Sequence, residues 1–211
     1  MSLFDIPVYQ DDAAAMVDKH NIKALVEAER YYRDNLHFEQ MEQCYSKESR
    51  VRITWYDGDG RAFVRRSAES ANRQGIGVKH KIYSTMIWLN GRRAIAEMQT
   101  VMMGKREWID GIETDTKGYS RLLYKVEKES DDVWRIKGFD CIYERDWIES
   151  CGAKPLPIDA ADEDARGSYK FLHGQLSRLG LDVNQNLPGE DDLTTIAGLY
   201  DEAEAWLLQE Q

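Results

Sequence analysis

The 211-residue sequence predicts an α+β fold, with helices first, an antiparallel sheet next and a helical extension last. Three observations predict it. Apolar residues recur at helical spacing before residue 45, and β-rich runs with turn signals occupy residues 51–146. Neither βαβ alternation nor a GxGxxG string occurs, which argues against a dinucleotide-binding fold. An α+β domain over 1–150 is expected, with 151–211 packed on it, because about 50 residues bury too little surface to be robust alone.

Residues Asp11 to Asp34 place Met16, Ile22, Leu25 and Val26 at helical spacing, and Asp11 or Asp12 can cap the first turn. Phe38, Met41 and Cys44 to Tyr45 repeat that spacing after Asn35 and predict a short second helix. Val51, Ile53 and Trp55 alternate with Arg52, Thr54 and Tyr56, a strand ended by the turn formers Asp57-Gly58-Asp59-Gly60. Arg65 to Gln74 is polar and runs toward Gly75 and Gly77, a small exposed helix that stops at glycine. Between Lys79 and Met103 two β-rich runs flank Asn90-Gly91, the pair suited to a type I′ turn, and predict a long hairpin.

Counted outward from that turn, Leu89 pairs with Arg92, Tyr83 with Met98 and Lys81 with Thr100. Lys79, Lys81, Tyr83, Thr85 and Ile87 then share one face; His80, Ile82, Ser84, Met86 and Trp88 share the other. Both faces mix polar and apolar residues, as a half-lined cavity requires. Tyr119 to Lys128 and Val133 to Asp146, joined by a polar turn, complete a four-strand meander. Pro155 and Pro157 mark a break, after which Gly167 to Gly180 and Asp191 to Gln209 read as two helices.

Acidic residues outnumber basic ones by 38 to 28, a formal charge of -10 that opposes a phosphate backbone as partner. No apolar run nears the roughly 20 residues of a membrane helix, and Met1 to Gln10 lacks a signal-peptide layout, so a cytoplasmic protein without membrane partner is expected. Cys44, Cys141 and Cys151 form no CxxC, and His20, His37, His80 and His173 form no HxH or HxxxH pair. Neither a disulfide framework, a metal nor a cofactor is expected.

Ile22-Lys23-Ala24-Leu25, Asp34, Phe38-Glu39-Gln40-Met41, Trp134-Arg135-Ile136 and Ile142-Tyr143-Glu144-Arg145-Asp146 occur in an order that resembles SnoaL-like proteins of the nuclear transport factor 2-like superfamily. The resemblance covers about residues 20–148, takes in bacterial members that carry an extension of the Ser168-Tyr169-Lys170-Phe171-Leu172 and Leu187-Pro188-Gly189 type, and extends to the bacterial diarylpropane lyases of lignin-dimer catabolism. It implies a cone in which a curved antiparallel sheet wraps the helices around one apolar pocket, and a homo-oligomer, dimer or trimer. Dehydratase members use a Tyr and an Asp on the first helix, a His on the first hairpin strand and an acid on the second. Asp34 matches the helix Asp, with Tyr31 or Tyr32 near the Tyr position; Tyr83 stands where the His is expected and Met102 near the acid.

On the predicted face Lys81 and Tyr83 point the same way, and burial lowers a lysine pKa while a cation lowers that of a phenol, so the pair can act as base and acid. Asp34, Tyr56 and Tyr31 join them as candidate catalytic residues. Lys79, His80, Trp88, Met98, Phe139 and Tyr143 are expected to bind an aromatic small molecule. The opposite parity, built around His80, Ser84, Glu97 and Gln99, is the alternative wall. The expected activity is that of a cofactor-independent lyase, which for the lignin-type resemblance means dehydration to a quinone methide and loss of formaldehyde to leave a stilbene. A non-catalytic oxygenase β-subunit-like assembly protein and a small-molecule binding module are the rival readings.

Overall fold

The computed structural model describes residues 2–74, 77–104, 106–156 and 165–209, without the side chains of 73 and 74. Helix α1 (Ala13–Asp34) begins where Asp12 Oδ1 accepts the backbone N–H of Ala15 at 2.8 Å, and it buries Ile22 and Val26. Leu36 takes a positive φ in the connection to helix α2 (Phe38–Gln43), which buries Met41. Strands β1 (Tyr45–Ile53) and β2 (Tyr56–Asp59) reverse about Thr54 and Trp55, earlier than the Asp57–Gly60 string suggested, so Asp57-Gly58-Asp59 is strand. Helix α3 (Gly60–Gln74) therefore starts at Gly60 rather than Arg65. A Cβ at Gly60 would stand 2.4 Å from Ser49 Oγ and 2.8 Å from Tyr45 Cδ1, so only glycine lets α3 start pressed against β1. The breaks expected at Gly75 and Pro157 lie outside the described residues.

Strands β3 (Lys79–Asn90), β4 (Arg93–Met103), β5 (Glu107–Ile109), β6 (Ile112–Lys128) and β7 (Trp134–Ser150) complete the sheet. The order is β2-β1-β7-β6-β4-β3, with short β5 paired to β6. Strand β1 runs parallel to β7, so the sheet is mixed rather than antiparallel throughout. A parallel neighbour demands a long crossover, and everything from β2 to β6 supplies it.

Two bulges decide which side chains face inward. In the β3–β4 hairpin Asn90 pairs with Arg93, which leaves Gly91 and Arg92 as the turn and moves each expected partner by two residues, so that Thr85 rather than Tyr83 faces Met98 and the parity near the turn is kept. A bulge between Ile82 and Thr85 then inserts one extra residue into β3, so that Ile82 rather than Lys81 faces Thr100. Ile87 and Leu89 keep the inward parity expected of them, while beyond the bulge it flips, with Ile82 in the core and Tyr83 61% exposed. A second bulge in β7 places Tyr143 opposite Ser120 but Arg145 opposite Tyr119, and so brings Tyr143 and Asp146, three residues apart, to one face.

The inner face carries the main core, in which Tyr45, Phe63, Met98, Tyr124, Ile136 and Phe139 are nearly or fully buried. Each such side chain contributes about 1.5–3 kcal/mol by burial. After a single 3-10 turn at Gly167–Tyr169, helix α4 (Lys170–Arg178) closes this side through Leu172 and Leu176. Helix α5 (Leu193–Leu208) covers the outer face, where Ile196, Leu199, Ala203 and Leu207 meet Trp88, Ile95, Leu123 and Ile142. Asn90 Nδ2 donates to Leu207 O at 2.9 Å and fixes the far end of α5 to the hairpin turn. No helix among the described residues is long and apolar enough to cross a membrane.

Candidate functional site

Between α1, α3, α4 and the inner sheet face lies a cavity of about 820 Å³. Its aromatic wall comes from Phe38, Trp55, Tyr119, Phe139, Tyr143 and Tyr169. Phe139 stacks on Tyr124 with centroids 4.9 Å apart, and Tyr143 lies 4.6 Å from the Tyr169 ring. The Tyr143 hydroxyl accepts from Thr54 N–H at 3.0 Å, which fixes that ring between β7 and the β1–β2 turn. Gly118 on β6 lines the cavity between Met102 and Asp146, where a side chain would fill it.

Beneath the wall Glu29 and Arg30 form a buried ion pair. Tyr45 and Tyr124 donate to the two Glu29 oxygens at 2.8 and 3.2 Å, and the Arg30 guanidinium lies 4.9 Å over the Phe139 ring. Every oxygen of the carboxylate is thus matched, which a buried charge requires. Neighbours on a helix do not normally face each other, so residue spacing does not reveal this pair.

One end of the cavity lies where α1 finishes and β3 begins. The carboxylate of Asp34, the last residue of α1, accepts from His80 twice: the backbone N–H reaches Oδ2 at 2.5 Å and ring Nδ1 lies 2.9 Å from Oδ1. Both side chains are less than one-tenth exposed. Burial opposes the charge on Asp34, but the His80 hydrogen bonds and the neighbouring Arg33 outweigh it and hold the carboxyl below its usual value. Burial, with Arg30 and Arg33 nearby, lowers His80 to about 4 against the pull of Asp34. At neutral pH the pair is therefore a carboxylate and a neutral imidazole whose Nδ1–H points at Asp34. Nε2 then keeps its lone pair, and among the described residues the ring's one hydrogen bond is that of Nδ1 to Asp34, so Nε2 is open to accept a proton on the cavity wall.

A second carboxyl faces the same cavity from β7. Asp146 Oδ2 accepts the backbone N–H of Leu172 at 2.7 Å in the first turn of α4, while its buried Oδ1 has no partner. Burial raises its pKa to about 6 despite the backbone hydrogen bonds, so near neutrality it can hold a proton. Cys141 also lines the cavity, but burial pushes its thiol up to about 12 and leaves it un-ionised. Among the described residues no group of three His, Cys, Asp or Glu could hold a metal ion.

The residues singled out by sequence separate sharply. Asp34 and His80 come together, and Phe139 and Tyr143 line the cavity. Lys81 and Tyr83 do not face it: the β3 bulge turns both outward, where they are exposed. The position expected to carry the His therefore lies on the wrong face, and His80, three residues earlier, stands in its place. Tyr31 is 60% exposed and packs near His37, so neither it nor its neighbour Tyr32 reaches the wall. The Tyr56 hydroxyl donates to Asp59 O at 2.7 Å on the far side of the β1–β2 hairpin. Lys79 donates to the Asp34 backbone oxygen outside the cavity. Trp88 belongs to the outer cluster under α5, and Met98 is core beneath the wall. Sequence reasoning missed Arg33 and Asp146, because α1 had to be phased against β3 and the β7 bulge had to be known before either could be placed.

A family model for the SnoaL-like domain matches residues 14–140. No curated protein matches the chain. Among solved structures, a candidate scytalone dehydratase from Novosphingobium aromaticivorans is 16% identical at a TM-score of 0.52, over 70% of this chain and 97% of that one. The Rv3472 protein of Mycobacterium tuberculosis, of unknown function, is 15% identical at 0.53, over 81% and 99%. A type 2 hexachlorocyclohexane dehydrochlorinase, LinA, is 8% identical at 0.50, over 68% and 95%. At such identities these structures speak for the fold. With more than half of its length matched by the family model, and with helices and a curved mixed sheet around one cavity, the chain belongs to the SnoaL-like family of the nuclear transport factor 2-like fold.

Proposed function

We propose that the protein is a lyase that eliminates water from a hydroxylated aromatic small molecule, with His80 as base, Asp34 as its orienting partner and Asp146 as acid. The observation that carries this reading is the Asp34–His80 pair, which leaves Nε2 as a hydrogen-bond acceptor on a wall otherwise rich in aromatic rings. The candidate dehydratase and the dehydrochlorinase on the same fold are named for eliminations, which supports the reaction class.

The finer reading is a lignin-derived diarylpropane carrying a phenol, a benzylic hydroxyl and a hydroxymethyl group. His80 Nε2 takes the phenolic proton, the ring electrons expel the benzylic hydroxyl, and Asp146 protonates it to leave as water. A quinone methide remains, with His80 protonated and Asp146 ionised. Asp146 then takes the hydroxymethyl O–H proton, the C–C bond breaks to release formaldehyde, and its electrons form the stilbene double bond as the ring regains a phenolate. His80 returns its proton to that phenolate, so both residues end as they began. Such steps need two groups of opposite protonation state, and burial with distinct partners sets Asp146 and His80 apart in that sense.

The test is incubation of the purified protein with phenolic diarylpropanes, following near-ultraviolet absorbance of the conjugated product and free formaldehyde together. Stoichiometric appearance of both is expected. Conjugated product without formaldehyde would retain the dehydratase and remove the diarylpropane reading, and binding without any product would remove the lyase.

A further inference from the structure

We propose that Arg33 is an oxyanion-binding residue of this cavity, which takes the ionised phenol oxygen of the substrate beside His80; the inference rests on the lyase reading above and deepens it. Arg33 lines the cavity one residue before Asp34, and its side chain is 16% exposed. A guanidinium carries five N–H donors in a planar fork. The nearest carboxylate oxygen, Asp34 Oδ1, lies 3.5 Å from Nη1, longer than a hydrogen bond and already engaged by His80. No acceptor among the described residues takes a hydrogen bond from this guanidinium. Arg30 differs entirely, since Glu29 holds it through Nε and Nη2.

Charge points the same way. Around this end of the cavity three guanidinium groups, Arg30, Arg33 and Arg66, stand against two carboxylates, Asp34 on the wall and Glu29 beneath it, and His80 is neutral. Arg66 at the rim has a contact with the Tyr56 ring at 5.9 Å and no carboxylate partner among the described residues. The other charged residues of the wall are engaged elsewhere or are carboxylic: Arg106 lies 3.6 Å from Glu113, Glu107 pairs with Arg178, and Asp146 caps α4. A phenol whose proton goes to Nε2 becomes an anion beside a guanidinium that has no hydrogen-bond acceptor among the described residues and lies against the Asp34–His80 pair. Preset donors at the site of developing charge lower the barrier without reorganisation. Arg33 thus supplies what the Asp34–His80 pair lacks, a counter-charge for the conjugate base.

The experiment uses 4-nitrophenol, whose ionised form absorbs in the visible, and 4-nitroanisole as its uncharged counterpart. With the wild-type protein in excess, the bound phenol should ionise at lower pH than the free one, by about one to three pH units for an opposite charge within 4–6 Å. Arg33→Met keeps the aliphatic stem and should return the bound phenol to or above its value in water, with 4-nitroanisole binding unchanged; Arg33→Lys should restore part of the effect. Lys81→Met, on the outer face, serves as the control and should titrate as wild type. A bound nitrophenol that ionises no more readily than the free one, or equally readily in Arg33→Met, overturns the oxyanion assignment while diarylpropane turnover would still report on the lyase. Failure of both probes to bind would count against the oxyanion site and the aromatic cavity together.

Discussion

Replacing Asp34 by Asn removes one charge and changes almost no volume, yet the geometry predicts that it disables the base. Asp34 accepts from the His80 backbone N–H at 2.5 Å and from the ring at 2.9 Å. Asparagine offers one oxygen and one NH2. The backbone N–H can only donate, so the amide oxygen must turn to it and the NH2 then faces Nδ1. Nδ1 must become an acceptor, and the proton moves to Nε2, the atom that has to receive the substrate proton. Loss of a positioned general base costs about 10²–10⁴ in rate, or roughly 2.7–5.4 kcal/mol at 1.36 kcal/mol per tenfold. Two charge-assisted hydrogen bonds weaken, each worth about 1.5–3 kcal/mol, but a buried carboxylate no longer has to be desolvated, so the fold persists. Because folding lowers the Asp34 carboxyl, its stabilising contribution is present above the unfolded value and lost as pH falls through the folded one; Asp34→Asn should flatten that acid-side loss. Nitrogen-15 NMR of the His80 ring reads the tautomer directly, and absorbance of the conjugated product reads turnover. An Asp34→Asn protein that keeps the Nδ1–H tautomer, or turns over within a few-fold of wild type, would refute the reasoning.

Three further outcomes are expected. Asp146 must be protonated to act as acid, so kcat/KM should fall as pH rises through about 6; Asp146→Asn keeps an acceptor for Leu172 N–H and should lose both rate and that limb, and a limb that survives would remove Asp146 from the chemistry. Lys81→Met should leave turnover and melting temperature near wild type, since exposed substitutions stay within about 0.5 kcal/mol; a large loss of turnover would mean that the outward parity of β3 is wrong. Gly60→Ala should destabilise by about 1–3 kcal/mol, because its Cβ would stand 2.4 Å from Ser49 Oγ, and an unchanged denaturation midpoint would show that β1 and α3 separate freely.

Periodicity by itself determined the α+β class, α1, the β3–β4 hairpin and the C-terminal helices, because each of these is written in residues close along the chain; the choice of Asp12 over Asp11 as the α1 cap came from the structure. Asp34 was legible for the same reason, at the end of a well-marked helix and within a recognisable family order. The pairing partner was not. Side chains on a strand alternate with a period of two, so the single extra residue between Ile82 and Thr85 moved Lys81 and Tyr83 outward, and no local pattern announces a bulge. The β7 bulge likewise put Asp146 beside Tyr143 in the cavity. The parallel pairing of β1 with β7 depends on residues about 90 apart in the chain, and the matching of Glu29 joins Tyr45, 16 residues away, to Tyr124, 95 residues away. Hydrophobic pattern fixes which segments fold, whereas the pairing and protonation states of Asp34, His80 and Asp146 depend on burial and on partners that only tertiary packing brings together.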